Sequence, residues 1–210
     1  MANKKPGLDA AYSLETPDDN IALYADWAKT YDSDFAERME YLLPYHVVEV
    51  LKTSYDGSGP ILDVGSGTGL IADALKPHID VAMDALDISP EMLEVAGQKN
   101  LYRNYIIGDL TKMLPIQFTT YDAIVSAGTF THGHVGPNAL DELLRVAKRN
   151  ALFVLTINKE HFTSKGFASK LEALSDRIFD VTMPEVPIYG NAADKTHADD
   201  KALLACFRKI

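Results

Sequence analysis

The sequence contains one cysteine, Cys206, among 210 residues. A single thiol closes no intrachain disulfide and leaves no CxxC pair for zinc or redox work. Long apolar runs are also missing: each is broken by charge, Pro or Gly well short of the roughly 20 residues a membrane helix needs. The opening MANKKPGLDA lacks the apolar centre of a secretory signal. These absences lead to the expectation of a cytoplasmic protein with no membrane partner. Cations are scarce as well, with 20 Lys+Arg against 30 Asp+Glu and a formal net charge of -10. Such a field repels a phosphate backbone, and no basic patch offsets it, so nucleic acid is not an expected partner. No solenoid-length repeat or low-complexity tract is present. What remains is a chain with 47% hydrophobic residues, a composition for burying one core. Monomer and homodimer are equally compatible with it.

Periodicity divides this chain. Residues 1–19 mix Pro, Gly, Asp and Lys without an apolar period and read as a flexible N-terminal segment. Residues 20–58 read as a helical lid: from Ile21 to Met39 the positions Leu23, Tyr24, Trp27, Ala28, Tyr31 and Phe35 recur at three- and four-residue steps, with Tyr24, Trp27 and Tyr31 on one aromatic face, and Pro44 opens a second helix. From 59 to 210 the period changes. ILDVG, a strand within VAMDALDIS, YIIGDL, YDAIVSAG and ALFVLTIN are short strand-like runs separated by amphipathic segments; Ser89 is placed to cap the helix SPEMLEVAGQKN, and SKGFASKLEALSDRI, residues 164–178, reads as one helix. VTMPEVPIY and ALLACFRKI then form a strand-rich ending. Strand and helix in alternation predict an α/β, Rossmann-like fold, a seven-stranded mostly parallel sheet flanked by helices, with lid and core forming one domain.

The strongest chemical signal is ILDVGSGTG, residues 61–69, in which an apolar strand runs into alternating glycines and then a helix. Gly65 and Gly67 bare the backbone where a ligand can approach it. Asp87 ends the next strand at a spacing from which a carboxylate reaches both hydroxyls of a ribose. A phosphate-loop reading fails because no Lys-Ser or Lys-Thr pair follows. A dinucleotide reading requires its third glycine three residues after the second, whereas Gly67 and Gly69 are two apart. An NAD-dependent oxidoreductase is therefore the alternative enzyme. A non-catalytic cofactor-binding regulatory or partner protein is the alternative from another class.

ILDVGSGTG, LDISPEML, YIIGDL and YDAIVSAGTF together resemble the motifs of the class I S-adenosylmethionine-dependent methyltransferases. Within that family YADWAKTYDSDF, the GTGL continuation and NALDELLRVAK resemble the group that includes the Williams-Beuren region methyltransferase-like protein. The resemblance implies S-adenosyl-L-methionine as cofactor, S-adenosyl-L-homocysteine as product, and methyl transfer to O, N or S of a small-molecule acceptor by direct displacement. It also implies that Asp63, Gly65 and Gly67 surround the methionine moiety, Asp87 binds the ribose, and Ile88 and Met92 contact adenine. Asp109 would accept from the adenine amine and Leu110 would close that side. Tyr24 and Tyr31 correspond to the lid residues that close the pocket. Where many relatives carry Pro-Gly-Gly before the fifth strand, this chain has Ala147–Ala151, and Asn150 is the residue there able to take a positive φ.

The segment 126–135 follows the fourth strand, at the sheet edge where open α/β folds present ligand loops. His132 and His134 are candidate catalytic bases, since imidazole titrates near neutral pH. A carboxylate acceptor would need no base at all, only alignment. Two histidines do not complete a metal site, and no metal is expected. Trp27, Thr129, Phe130 and His161 are candidate walls of the acceptor pocket, and Glu185 and Tyr189 can approach it from the last hairpin.

Overall fold

Apolar residues alternate along the central strands, and in the computed structural model of the chain each set faces a different helical layer. The structure describes residues 7–14, 16–57, 59–131, 135–191 and 196–210. Leu62, Val64, Ile124, Phe153 and Leu155 point to one side, where they pack with Leu140, Leu143, Leu144, Phe167 and Leu171. Ile61, Ala123, Val125, Leu152 and Val154 point to the other, against Val47, Leu51, Ile71, Leu75 and Leu93. Burial on both faces explains why the middle strands read as continuous apolar runs.

The strands are β1 (Ile61–Val64), β2 (Met83–Asp87), β3 (Asn104–Ile107), β4 (Tyr121–Phe130), β5 (Ala147–Asn158), β6 (Ile178–Thr182), β7 (Glu185–Pro187) and β8 (Lys201–Lys209). Their order is β3-β2-β1-β4-β5-β8-β6, with β7 also on β8. β1 to β5 pair in parallel, whereas β8 runs antiparallel to β5, β6 and β7. Eight segments thus occupy seven sheet positions, because β6 and β7 follow one another along the same edge of β8. The break falls at Met183 and Pro184, and proline cannot donate to a ladder. Asn150 sits inside β5 with a φ of 63°, so the turn expected there is absorbed into the strand.

The helices are α1 (Leu8–Tyr12), α2 (Pro17–Trp27), α3 (Leu43–Ser54), α4 (Leu70–Leu75), α5 (Pro90–Gln98), α6 (Ala139–Val146), α7 (Lys159–Lys165) and α8 (Phe167–Ala173). The run 164–178, expected as one helix, belongs to two: Gly166, φ 79°, ends α7 and starts α8. The N-terminal reading changes too. Helix begins before residue 20, because Thr16 and Asp19 form a reciprocal capping box at the start of α2. Ala11 of α1 is buried. The helix expected through residue 39 gives way after Trp27 to a π-helical turn, Asp32–Glu37.

The lid is tied to the far end of the sheet. Leu42 N–H donates to the Ile188 carbonyl at 2.9 Å and Gly190 N–H to that of Glu40 at 2.9 Å, with Tyr41 and Tyr189 paired as a β-bridge between them. Trp27, Phe35, Tyr41, Ile188 and Tyr189 share one cluster, so residues about 160 apart in sequence close over the carboxyl ends of β1, β4 and β5. No helix among the described residues is long and apolar enough to cross a membrane.

Candidate active site

Between lid and sheet lies a cavity of about 1250 Å³, counting the space at its mouth. One half is built by the glycine loop and the ends of β2 and β3. Asp87, at the end of β2, is held by backbone donors: Gly67 N–H reaches its Oδ2 at 2.8 Å and Ser89 N–H its Oδ1 at 2.9 Å. Each oxygen retains acceptor capacity, and the residue lines the cavity. Burial raises its pKa, opposed by those same N–H groups. Ser89 also caps α5 by accepting from Met92 N–H at 3.3 Å, which sets Ile88 and Met92 on the wall.

Gly65 has to be glycine on two counts. Its φ is 63°, and a Cβ there would stand 1.9 Å from Thr129 Oγ1. That hydroxyl donates to the Val64 carbonyl at 2.9 Å, binding the tip of β4 to the glycine loop. Beneath the loop Asp63 is fully buried and lines a smaller side cleft with Gly65, Ser66 and Tyr31 instead of the main cavity. Its Oδ2 accepts from Tyr102 O–H at 2.6 Å, while its Oδ1 and the neighbouring Ser66 Oγ have no partner among the described residues. Burial pushes the Asp63 carboxyl up to about 7, against the opposing pull of the Tyr102 hydrogen bond. An orphaned carboxylate oxygen beside bare backbone fits a cationic amine. A backbone-held carboxylate at the end of β2 fits a ribose.

Asp109, Leu110 and Gly108 close the β3 side. Asp109 is engaged already: Thr111 N–H and Oγ1 donate to Oδ1 at 2.9 and 2.7 Å, and Lys112 lies 3.0 Å from Oδ2. Burial raises its pKa, but these donors outweigh it, and the net shift is downward.

The other half is aromatic. Ring centroids of Tyr24 and Trp27 lie 6.1 Å apart, Trp27 and Tyr31 5.1 Å, Tyr31 and Phe35 5.0 Å, Phe35 and Tyr41 5.1 Å, and Tyr41 and Tyr189 6.0 Å. The face anticipated from Tyr24, Trp27 and Tyr31 therefore continues through residues that one helix could not present together. Burial raises the pKa of Tyr24, Tyr31 and Tyr41 and keeps all three hydroxyls protonated; neighbouring Asp87 adds to the effect on Tyr24, and neighbouring tyrosines to that on Tyr31 and Tyr41. Asp32 latches this wall to the core: its Oδ1 accepts from Thr68 Oγ1 at 2.5 Å and its Oδ2 from Lys99 Nζ at 2.6 Å.

Most of the anticipated residues meet here. Tyr24, Tyr31, Gly65, Gly67, Asp87, Ile88, Met92, Asp109, Leu110, Trp27, Thr129 and Phe130 all line the main cavity. His161 does not. It is buried within the first turn of α7, its Nε2 3.0 Å from the Val135 carbonyl and its ring 5.5 Å from that of Phe167. A histidine after a strand end is expected in the cleft, but α7 turns this one inward. Glu185 is likewise off the wall, paired with Lys159 and Lys201, and its pKa falls to about 2 under those two hydrogen bonds. His132 and His134 lie outside the described residues. Tyr41, Thr156 and Asn158 are wall residues that sequence reasoning missed. Only Asn158 carried a local signal, as the polar end of an apolar strand before a helix.

Known proteins show the same pattern. Residues 62–155 match the family described as "Methyltransferase domain". The chain is 33% identical over 173 residues to Methyltransferase-like protein 27 of Homo sapiens, covering 80% of this chain and 69% of that protein. It is 36% identical over 81 residues to the 18S rRNA (guanine-N(7))-methyltransferase of Bos taurus, covering 38% of this chain and 28% of that one. A SAM-dependent methyltransferase from Aquifex aeolicus shares the fold with a TM-score of 0.60 at 20% identity, over 87% of this chain and 97% of its own. The chain belongs to the class I S-adenosylmethionine-dependent methyltransferases. It binds S-adenosylmethionine and transfers the methyl group to an acceptor. The oxidoreductase and non-catalytic alternatives fall with that membership.

Proposed function

We propose that the acceptor is a small molecule held in the aromatic half of the cavity, and that this chain falls within the Williams-Beuren region methyltransferase-like group. The single observation that carries the acceptor reading is the continuous aromatic wall from Tyr24 to Tyr189, which roofs the site. A nucleic acid or folded protein presenting its target needs a channel in place of a roof. The net charge of -10 supports the same reading against nucleic acid. The lid motif YADWAKTYDSDF supports the group assignment. The single cysteine supports a cytoplasmic setting.

In this reading Asp63 and the Gly65–Gly67 backbone hold the methionine part of the donor, and Asp87 holds the ribose. Ile88, Met92, Asp109 and Leu110 frame the adenine. Tyr24 and Tyr31 close the donor side, and Trp27, Thr129 and Phe130 border the acceptor. When bound, the cofactor supplies an electrophilic methyl group on a cationic sulfur. The protein's part is then placement and exclusion of water, with His132 or His134 taking the proton from a protonated acceptor.

The test is calorimetry with S-adenosylmethionine and with NAD, followed by labelled-methyl transfer into a metabolite extract. Asp87→Ala is expected to abolish donor binding and product. Label appearing only in RNA or protein would overturn the small-acceptor reading. Product formation surviving both His132→Ala and His134→Ala would remove the proposed base and leave the donor site intact.

A further inference from the structure

Asn158 ends β5 on the cavity wall, and its amide is committed at one end only. Its Oδ1 caps α7, accepting from Glu160 N–H at 3.0 Å and His161 N–H at 3.2 Å. Only the oxygen of an amide can accept two N–H groups, so the orientation is dictated by chemistry and the NH2 must point the other way. That Nδ2 has no hydrogen-bond partner among the described residues, and the residue lines the cavity. An amide donor locked by a helix cap and left unused is prepared for a ligand.

Its surroundings narrow the ligand. Thr156 lies two residues earlier on β5, and its hydroxyl accepts from Gly128 N–H at 3.0 Å, so its own proton is free to donate. Tyr41 closes over the same spot: a Cβ on Gly128, φ 88°, would stand 2.4 Å from Tyr41 Oη. The polar groups that converge at this end are therefore neutral donors, a hydroxyl, a phenol and an amide. Among the described residues, no Lys, Arg or His lines the cavity, and its only acids, Asp87 and Asp109, belong to the other half. Apart from the donor's own sulfonium, a buried carboxylate or phosphate at this end meets no counter-cation among the described residues, and an ammonium meets no counter-anion among them.

We propose that Asn158 is a specificity-determining residue of the acceptor site, donating through Nδ2 to an oxygen of an uncharged ring compound, a phenol, ring alcohol or ketone, that stacks against the aromatic lid. The proposal rests on the donor-and-acceptor reading of the cavity given above. Asn158→Asp isolates the point: the replacement keeps the capping oxygen for α7, removes the amine, and turns a donor into an acceptor. Asn158→Ser, which also retains a capping oxygen, is the second variant.

The experiment is calorimetry on the full chain saturated with S-adenosylhomocysteine, using 4-ethylphenol, 4-ethylbenzoate and 4-ethylbenzylammonium as probes of one ring and three charges. The wild type is expected to bind the phenol at least about tenfold more tightly than either ion. Asn158→Asp and Asn158→Ser should each weaken the phenol by about tenfold while S-adenosylhomocysteine affinity and the melting temperature hold. Asn158→Asp should also bind the ammonium probe better than the wild type does, a gain that loss of a purely structural contact cannot give. Absence of phenol binding, benzoate binding as tight as phenol, or phenol affinity unchanged in both variants would overturn the proposal. Failure to bind S-adenosylhomocysteine would instead overturn the donor-site reading beneath it.

Discussion

Two aspartates are buried on neighbouring strands of this sheet, and their surroundings are opposite. Asp84 on β2 lies beside Leu62 of β1, and Asp63 on β1 lies beside Ala85 of β2. Asp84 is saturated: Arg103 donates through Nε at 3.0 Å and through its terminal nitrogen at 2.7 Å, Asn104 Nδ2 at 2.9 Å, and Tyr121 O–H at 2.9 Å. Among the described residues Asp63 has one tyrosine hydroxyl and one empty oxygen. Burying a carboxylate is tolerable when its lone pairs are filled, so Asp84 stitches β2, β3 and β4 together. Leaving one unfilled stores a demand for a cation. The first is architecture; the second fits the donor-holding role proposed for Asp63.

The largest expected effect is on the pH dependence of stability. The Asp63 carboxyl titrates near 7 in the folded protein against an ordinary 3.8, so between those values the folded state holds a proton that the unfolded chain has lost. Stability is then full below about pH 4 and falls as pH rises through 7, by up to about 4 kcal/mol from this group. Urea unfolding of the ligand-free wild type minus that of Asp63→Asn should trace this fall, and a flat difference would mean that Asp63 is not starved. Next comes donor affinity: Asp63→Asn should weaken S-adenosylmethionine binding by about 100-fold, the worth of a charge-assisted contact. Calorimetry reads it directly.

Asp84→Ala should do the reverse. Stripping the partner from Arg103 and the buried Tyr121 hydroxyl should destabilise the fold by about 2 kcal/mol, less than a fully buried pair because Arg103 is half-exposed. Donor affinity of the folded protein should be unchanged, and a loss comparable to that of Asp63→Asn would erase the distinction between the two acids. The smallest effect is at the latch. Asp32→Ala releases Thr68 and Lys99 but removes a partly exposed pair, costing at most about 1 kcal/mol. Hydrogen exchange should quicken in the lid helix α2, with little change in β1 and β4.

What could be read from the chain follows the range of each interaction. The alternation that gives β1, β4 and β5 their two apolar faces is local, and so is the cap that Ser89 provides for α5. Asp87 was legible because the βαβ unit fixes how far a strand end stands from the preceding glycine loop. The lid stripe of Tyr24, Trp27 and Tyr31 was legible for the same reason. His161 was misplaced because a strand end alone does not say which way the next helix turns its first residues. The long helix expected to residue 39 was misplaced because periodicity near 3.6 does not register a π-helical turn.

By itself, then, the sequence determined the order of strands and helices, the bare glycine backbone and the acid that faces it, because each depends on neighbours within one supersecondary unit. Tertiary structure decided the rest. Among the described residues it left one oxygen of Asp63 empty while filling those of Asp84, brought Tyr41 from the lid onto Gly128, and committed the amide oxygen of Asn158 to the cap of α7. None of these is a property of spacing along the chain. Each depends on which distant group arrives to satisfy, or fails to satisfy, a polar atom removed from water.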